Sequence, residues 1–466
     1  NRDMAHHDQL SIEYYSRGDL LLADAGENKY VLDKYYGQYG VHHNAIQIED
    51  PRTPFAASDW ADSRARGVYK GSSGGITTPV MVEQVIQTSW MEGIVASETV
   101  ARVIDDDWST SVGLTSPIEY SRTILYPDDD YFVIVDRLAG GQNWIYRNVL
   151  RPSSLTISPT IDKNKDGKYV ASEVGHVEGS LRIGKDSFDW LSLPYKRETA
   201  TGITTNSISW ETTNPYNRRV QLSIFSVPSS EIIVTKHVGR IAGYDAASEV
   251  FTPVVYLRNS PSEELSRITV LISGYLNEDR KKTEELPVTG TGNAMQVSSP
   301  ATTDTIYSGE GNAFFDVFET DATMMWYRQP KNSADYYCLL SGGTYLRMDG
   351  DEMITIAQTD AGMEATVNLS QNGFRHITRD GVSYAGYQVL NNGSAVTLYS
   401  DQPCSAFEIQ SPGQTAHIIL LNEIASFDES SLEKFPSEEK TGRYATCLVS
   451  GTIAIAGICW CRRKRR

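Results

Sequence analysis

Apolar and polar residues alternate along most of this chain in short runs, and few stretches show the three-to-four spacing of an amphipathic helix. LSIEYY at 10–15, VMVEQVIQTSW at 80–90, RTILYPDDDYFVIVDRL at 122–138 and RITVLISGY at 267–275 carry the pattern most clearly. A period of two places every second side chain on one face, which is how a half-buried strand reads. Gly, Asn, Asp and Pro punctuate these runs as turns do. The pattern predicts an all-β protein: a large antiparallel β-sandwich (a supersandwich) over residues 1–276, then a smaller β-sandwich-like region over 301–426. The polar stretch 277–300, NEDRKKTEELPVTGTGNAMQVSSP, is expected as a linker or long loop.

The end of the chain departs from alternation. Residues 427–443 are charged and predicted to form a solvated stalk. YATCLVSGTIAIAGICWC at 444–461 is uncharged and mostly apolar, close to the minimum for crossing a bilayer core. RRKRR at 462–466 would form a basic tail that stays on the cytoplasmic side. These features predict a transmembrane helix with the β domains outside, at a cell surface. No export signal precedes His6, so the chain is expected to be the C-terminal part of a longer exported protein.

Composition agrees with the β reading, with 26 Tyr among 466 residues. The formal net charge of −17 includes the basic tail, so the rest of the chain is more negative still. Such a surface repels nucleic acid, and basic residues interleaved with aromatics are missing. An acidic polysaccharide would need a local cationic pocket or a metal to overcome that field. Cys338 and Cys404 precede the apolar segment; a disulfide between them and two separate thiols are both consistent with an exported domain.

Half of the eight histidines lie between His6 and Asn44. Imidazoles and carboxylates clustered at strand ends suit a divalent metal, and they move protons near neutral pH. Parity places His6 and Asp8 with Leu10, Ile12 and Tyr14, and His7 with Gln9, Ser11 and Glu13. Asp24 shares its face with Leu20 and Leu22. His42 and Asn44 share parity with Ile46 and Ile48, which leaves His43 on the other side unless the strand begins after it. A metal held by His6, Asp24 and either His42 or His43 is one reading; satisfied polar residues at strand ends are the other.

HHDQLSIEYYSRGDLLLADAG, a Tyr-rich loop and HHNAIQIED, followed by RTILYPDDDYFVIVDRL, resemble the β-sandwich domain of the heparinase II/III-like polysaccharide lyases. The resemblance covers the first third of the chain. It implies cleavage of uronic-acid glycans by β-elimination, with a helical toroid outside this chain supplying the Tyr and Asn or His catalysts. It also implies zinc on His6, Asp24 and His43, where parity favours His42. Several members carry a catalytic histidine at the position of Met4, which leaves His7 as the candidate catalytic residue here, or as a surface histidine.

Two further stretches carry candidate chemistry. DKNKDGKYVASE has the spacing of an EF-hand calcium loop, with Asp162, Asn164, Asp166, Lys168 and Glu173 at ligand positions and Gly167 at the sharp turn. Its flanks read as strands, so a hairpin explains the same letters. Arg52, Arg64 and Arg66, in a Gly/Ser-rich loop, are candidate substrate-binding cations. Phosphate-binding Gly loops, paired CxxC motifs, HExxH and a nucleophile elbow are all missing. The function expected is therefore either a membrane-anchored lyase or a non-catalytic cell-surface carbohydrate-binding or structural module, with calcium dependence as a variant of the latter.

Overall fold

The computed structural model describes residues 10–24, 43–49, 77–79, 84–86, 93–101, 118–128, 131–139, 143, 145–154, 157–158, 175–177, 179–188, 192–193, 199–214, 216–239, 250–278, 281–359, 362–369, 373, 376–400, 404–421 and 453–454. Strands make up nearly all the regular structure, and no α-helix occurs among these residues. The chain divides into two compact units, one of Asn1–Arg280 with Ser450–Arg466 and one of Lys281–Val449.

In the first unit the main sheet follows the alternating runs. Neighbour to neighbour it passes from Ile157–Ser158 through Gly175–Val177, Val250–Arg258, Arg219–Gly239, Leu265–Tyr275, Tyr131–Ala139, Ile118–Asp128 and Gly93–Ala101 to Thr77–Pro79. Ile46–Glu49 joins it through Ile145–Leu150. Almost every pairing is antiparallel, as hairpins require. The hairpin Ile12–Ser16/Asp19–Leu22 packs onto this sheet. The Tyr14 hydroxyl donates to Ser273 Oγ at 2.8 Å, and its ring meets Phe132 edge-on at 5.2 Å. Both turn residues have positive φ, 54° at Arg17 and 80° at Gly18, the two-residue turn whose twist matches a hairpin. Ile12, Tyr14, Leu20 and Leu22 share one buried core with Ile124, Ile134, Leu222 and Leu271.

One end of that core is polar. Arg122, Asp136 and Arg267 face one another across three adjacent strands. Arg122 grips Asp136 with two bonds, Nε to Oδ1 at 2.6 Å and Nη2 to Oδ2 at 3.0 Å, and Tyr120 and Asn148 donate to the same carboxylate. Burial works against the Arg122 charge, but Asp136 and Tyr120 offset it and leave the guanidinium above its ordinary pKa. Arg267 is served by the neutral oxygens of Ser226, Ser230 and Asn259. Burial pushes it down to about 10, against the opposing pull of Asp136.

The second unit has a nine-stranded and an eight-stranded sheet that share one apolar core. Tyr327, Leu340, Phe407 and Ile418 come from the first sheet, and Phe318, Leu346, Ile356 and Leu398 from the second. Here too an arginine is buried against its cross-strand partner: Arg328 donates to both oxygens of Asp304, at 2.8 and 2.7 Å.

One expectation meets a different structure, and one question the sequence left open is answered. Residues 282–286, 288–290 and 293–298, expected within a linker, are strands of the second unit. Ala294, Met295 and Val297 are buried there. Cys338 and Cys404 are not partners: Cys338 is a free buried thiol, and the Gln414–Leu421 strand runs between theirs. Two strand spacings, about 9.6 Å, exceed what a disulfide spans. No helix among the described residues is long and apolar enough to cross a membrane. Of the stretch 444–461 only Ile453–Ala454 is described, as a two-residue strand beside Ile12–Glu13, and the stalk 427–443 and tail 462–466 lie outside the described residues.

Replacing Arg122 with Met strands a carboxylate in the core and should cost about 3–5 kcal/mol, read by urea unfolding. The double change Arg122→Met/Asp136→Leu should cost less than the two singles combined. Cys338, whose pKa burial raises, should stay unlabelled by maleimide in the native protein and react after unfolding, as peptide mapping would show.

Candidate functional site

The candidate site gathers at the open end of the Ile12–Ser16/Asp19–Leu22 hairpin. Leu10 takes a positive φ of 57°, which breaks strand alternation just before Ile12. Ser11, expected on the outer face with Glu13, is therefore fully buried. Its hydroxyl donates to Asp24 Oδ2 at 3.2 Å and accepts the Asn44 backbone N–H at 3.0 Å. The third strand begins only at Ile46, with bends at 43–45, so its parity does not reach back to the histidines. His43 points inward, and its Nδ1 lies 2.6 Å from Asp24 Oδ2. His43 is 1% exposed and Asp24 9%.

Asn44 fastens three strands at once. Its amide donates to the carbonyls of Ile12, at 2.8 Å, and Ala23, at 3.1 Å, and its oxygen accepts the Arg151 N–H at 2.7 Å. Arg122 adds a fourth tie, donating from Nη1 to the carbonyls of Leu10 and Asn44 at 2.6 and 2.9 Å. The side chain that neutralises Asp136 thus also fixes the approaches to Ser11 and His43. Glu13 sits at the rim, where its Oε1 accepts the Asp24 N–H at 3.3 Å. Burial raises its pKa, and the nearby Asp24 carboxylate raises it further.

Of the residues singled out in the sequence, Asp24 and His43 are brought together. His6, His7, His42, Arg52, Arg64, Arg66 and the calcium-loop residues Asp162, Asn164, Asp166, Lys168 and Glu173 lie outside the described residues. The strands bracketing that loop, Ile157–Ser158 and Gly175–Val177, pair antiparallel with each other, in keeping with a hairpin. Ser11, Glu13, Asn44 and Arg122 belonged to the quoted runs without an assigned role, and Arg151 lay outside them.

The donor set answers the question of zinc in part. The Nδ1–Oδ2 separation of 2.6 Å is a hydrogen bond, shorter than the roughly 3.3 Å that two ligand atoms of one tetrahedral ion keep. In this geometry Asp24 orients an imidazole and does not share an ion with it through these atoms. No group of three metal-binding side chains occurs among the described residues. The pair's burial also keeps it from touching a polymer. It can lock the ends of the 25–42 segment and the start of the hairpin, and it performs no chemistry on a glycan from where it lies.

No known protein family matches the sequence, and no curated protein does either. Several solved structures are similar in backbone. A heparinase III, the BT4657 gene product, matches at 10% identity and TM-score 0.35, with 70% of this chain and 36% of that chain covered. Heparan sulfate lyase HepC from Pedobacter heparinus matches at 10% identity and TM-score 0.35, with 63% and 35% covered. A GalM/aldose epimerase homologue from C. elegans matches at 11% and TM-score 0.21, with 42% and 69% covered. The chain spans about a third of the length of the heparinase structures. Likenesses this slight assign no activity.

Glu13 gives the site a pH signature. An acid whose pKa is raised on folding binds its proton more tightly in the native state. Stability should therefore fall as pH climbs from the ordinary glutamate value of 4.5 through the raised one. Glu13→Gln should flatten that part of the curve and be the more stable protein at neutrality, as urea midpoints across the pH range would show.

Proposed function

We propose that this chain is the β-sandwich part of a polysaccharide lyase that cleaves uronic-acid-containing glycans by β-elimination, held at a cell surface by its C-terminal apolar segment. The observation that carries the reading is the knot of His43, Asp24, Ser11 and Asn44. It forms from the motif residues that resemble the lyase domain, in their order, and it is fastened by the Arg122–Asp136 pair.

Elimination needs a base to remove the proton beside the uronate carboxylate, partners that neutralise that carboxylate, and an acid at the leaving oxygen. His43 and Asp24 are too buried to meet the polymer, so their part is positioning. They tie down both ends of the 25–42 segment, and Arg122 holds the Leu10 carbonyl three residues after His7. His7 is the residue of this chain proposed to reach substrate, with Arg52, Arg64 and Arg66 as carboxylate partners. A zinc ion, if held by His6 and His43 with Asp24 behind His43, would brace the strands.

Met4, where several lyases have histidine, favours the alternative of a non-catalytic carbohydrate-binding module. One assay separates the two. The natural full-length protein, incubated with polyuronates and sulfated glycosaminoglycans, should release products with the ultraviolet absorbance of an unsaturated uronate, and His7→Ala should slow their release at least tenfold. Absence of such products on every polymer overturns the lyase reading.

A further inference from the structure

At the closed end of the same hairpin, two turns meet. Arg17 and Gly18 link Ile12–Ser16 to Asp19–Leu22, and residues 214–218 link Thr199–Thr213 to Arg219–Gly239. Asn214 locks them. Its amide donates to the Arg17 carbonyl at 2.8 Å, and its oxygen accepts the N–H groups of Tyr216 and Arg218 at 3.0 and 2.9 Å. The Tyr216 ring lies over Gly18, so close that a Cβ there would sit 3.1 Å from it.

The outer face of this junction is aromatic and cationic. Tyr216 is 76% exposed and Tyr15 is 41% exposed, both high for tyrosine in a folded sheet. The Arg218 guanidinium lies 3.5 Å from the centre of the Tyr275 ring, and Arg17 approaches the same ring at 5.8 Å. Arg17 reaches Glu278 only at 3.9 Å, and Arg218 forms no ion pair among the described residues. Among the described residues these two guanidinium groups share one carboxylate, that of Glu278.

We propose that this junction binds an anionic oligosaccharide, with sugar faces stacking on Tyr216 and Tyr15 and a carboxylate or sulfate received by Arg218 and Arg17. Tyrosine rings offer flat, rigid, partly polar faces at low entropic cost, and the arginine fork matches planar carboxylates. The stacking of Arg218 on Tyr275 holds that fork in place before the ligand arrives. A handful of side chains suits a short oligosaccharide; a standard protein interface needs about 800 Å² on each partner. The surface lies roughly 18 Å along the hairpin from Asp24. It does not rest on the lyase reading, since a non-catalytic module would present it equally.

The test is calorimetry of the full chain with hexagalacturonate, its methyl-esterified and therefore neutral form, and a chondroitin sulfate hexasaccharide. Binding to at least one anionic hexamer is expected, at least tenfold tighter than to the ester, and weakening with added salt. Tyr216→Ala and Arg218→Gln should each weaken it about tenfold or more, with the thermal midpoint unchanged; Phe314→Ala should do nothing. Failure to bind either anionic hexamer, equal affinity for the ester, or unchanged affinity in both variants overturns the proposal. Binding without elimination products removes the lyase reading and leaves this surface standing. Elimination with neither variant altered in binding does the reverse.

Discussion

A single buried ion pair organises the first unit. Arg122 and Asp136 sit opposite each other on neighbouring strands, and four of the guanidinium's five N–H donors are used. Two bonds go to the carboxylate and two to backbone carbonyls on either side of the candidate site. Burying both charges is expensive, and a well-packed apolar pair would serve stability as well or better. What an apolar pair lacks is four directed bonds that fix Leu10 and Asn44 relative to the sheet. The second unit solves a similar problem with Arg328 and Asp304, again cross-strand partners and again bidentate. In each unit the planar fork of arginine matches the carboxylate across one strand spacing.

The His43–Asp24 pair inherits its geometry from that frame. Because both residues are buried, the low-dielectric surroundings strengthen their short hydrogen bond and deny it to solvent. Their effect on function then passes through the backbone segments they anchor. Positive charge at the sheet's polar end exceeds what Asp136 alone neutralises, since Arg267 rests on hydroxyl and amide oxygens.

Alternation made the strands and their hairpins legible, because a pleated strand with one buried face leaves a period of two in the letters. Asp24 is buried, but so are Leu21 and Ala23 on the other parity, so its burial owes nothing to alternation. For His43 the rule carried its own exception, a strand that begins after the histidine, and that exception applies because residues 43–45 are bends. Ser11 was missed for a related reason: the strand begins at Ile12, so parity does not reach Ser11, and the positive φ at Leu10 just before it has no warning in a leucine. The charges of KTEEL and the small residues of NAMQVS disguised strands as linker. The Cys338–Cys404 question was beyond reach, since the strand separating them comes later in the chain than either.

That late strand has a consequence for how the second unit is made. Tyr336–Ser341 pairs in parallel with Gln414–Leu421, and Gln414 and Thr415 bond back to residues 80 positions earlier. During synthesis the Tyr336–Ser341 strand must wait with one row of amides and carbonyls unsatisfied until the chain past 421 has emerged. A ribosome pausing just short of that point would leave an apolar edge, YYCLLS, open to any neighbouring nascent chain.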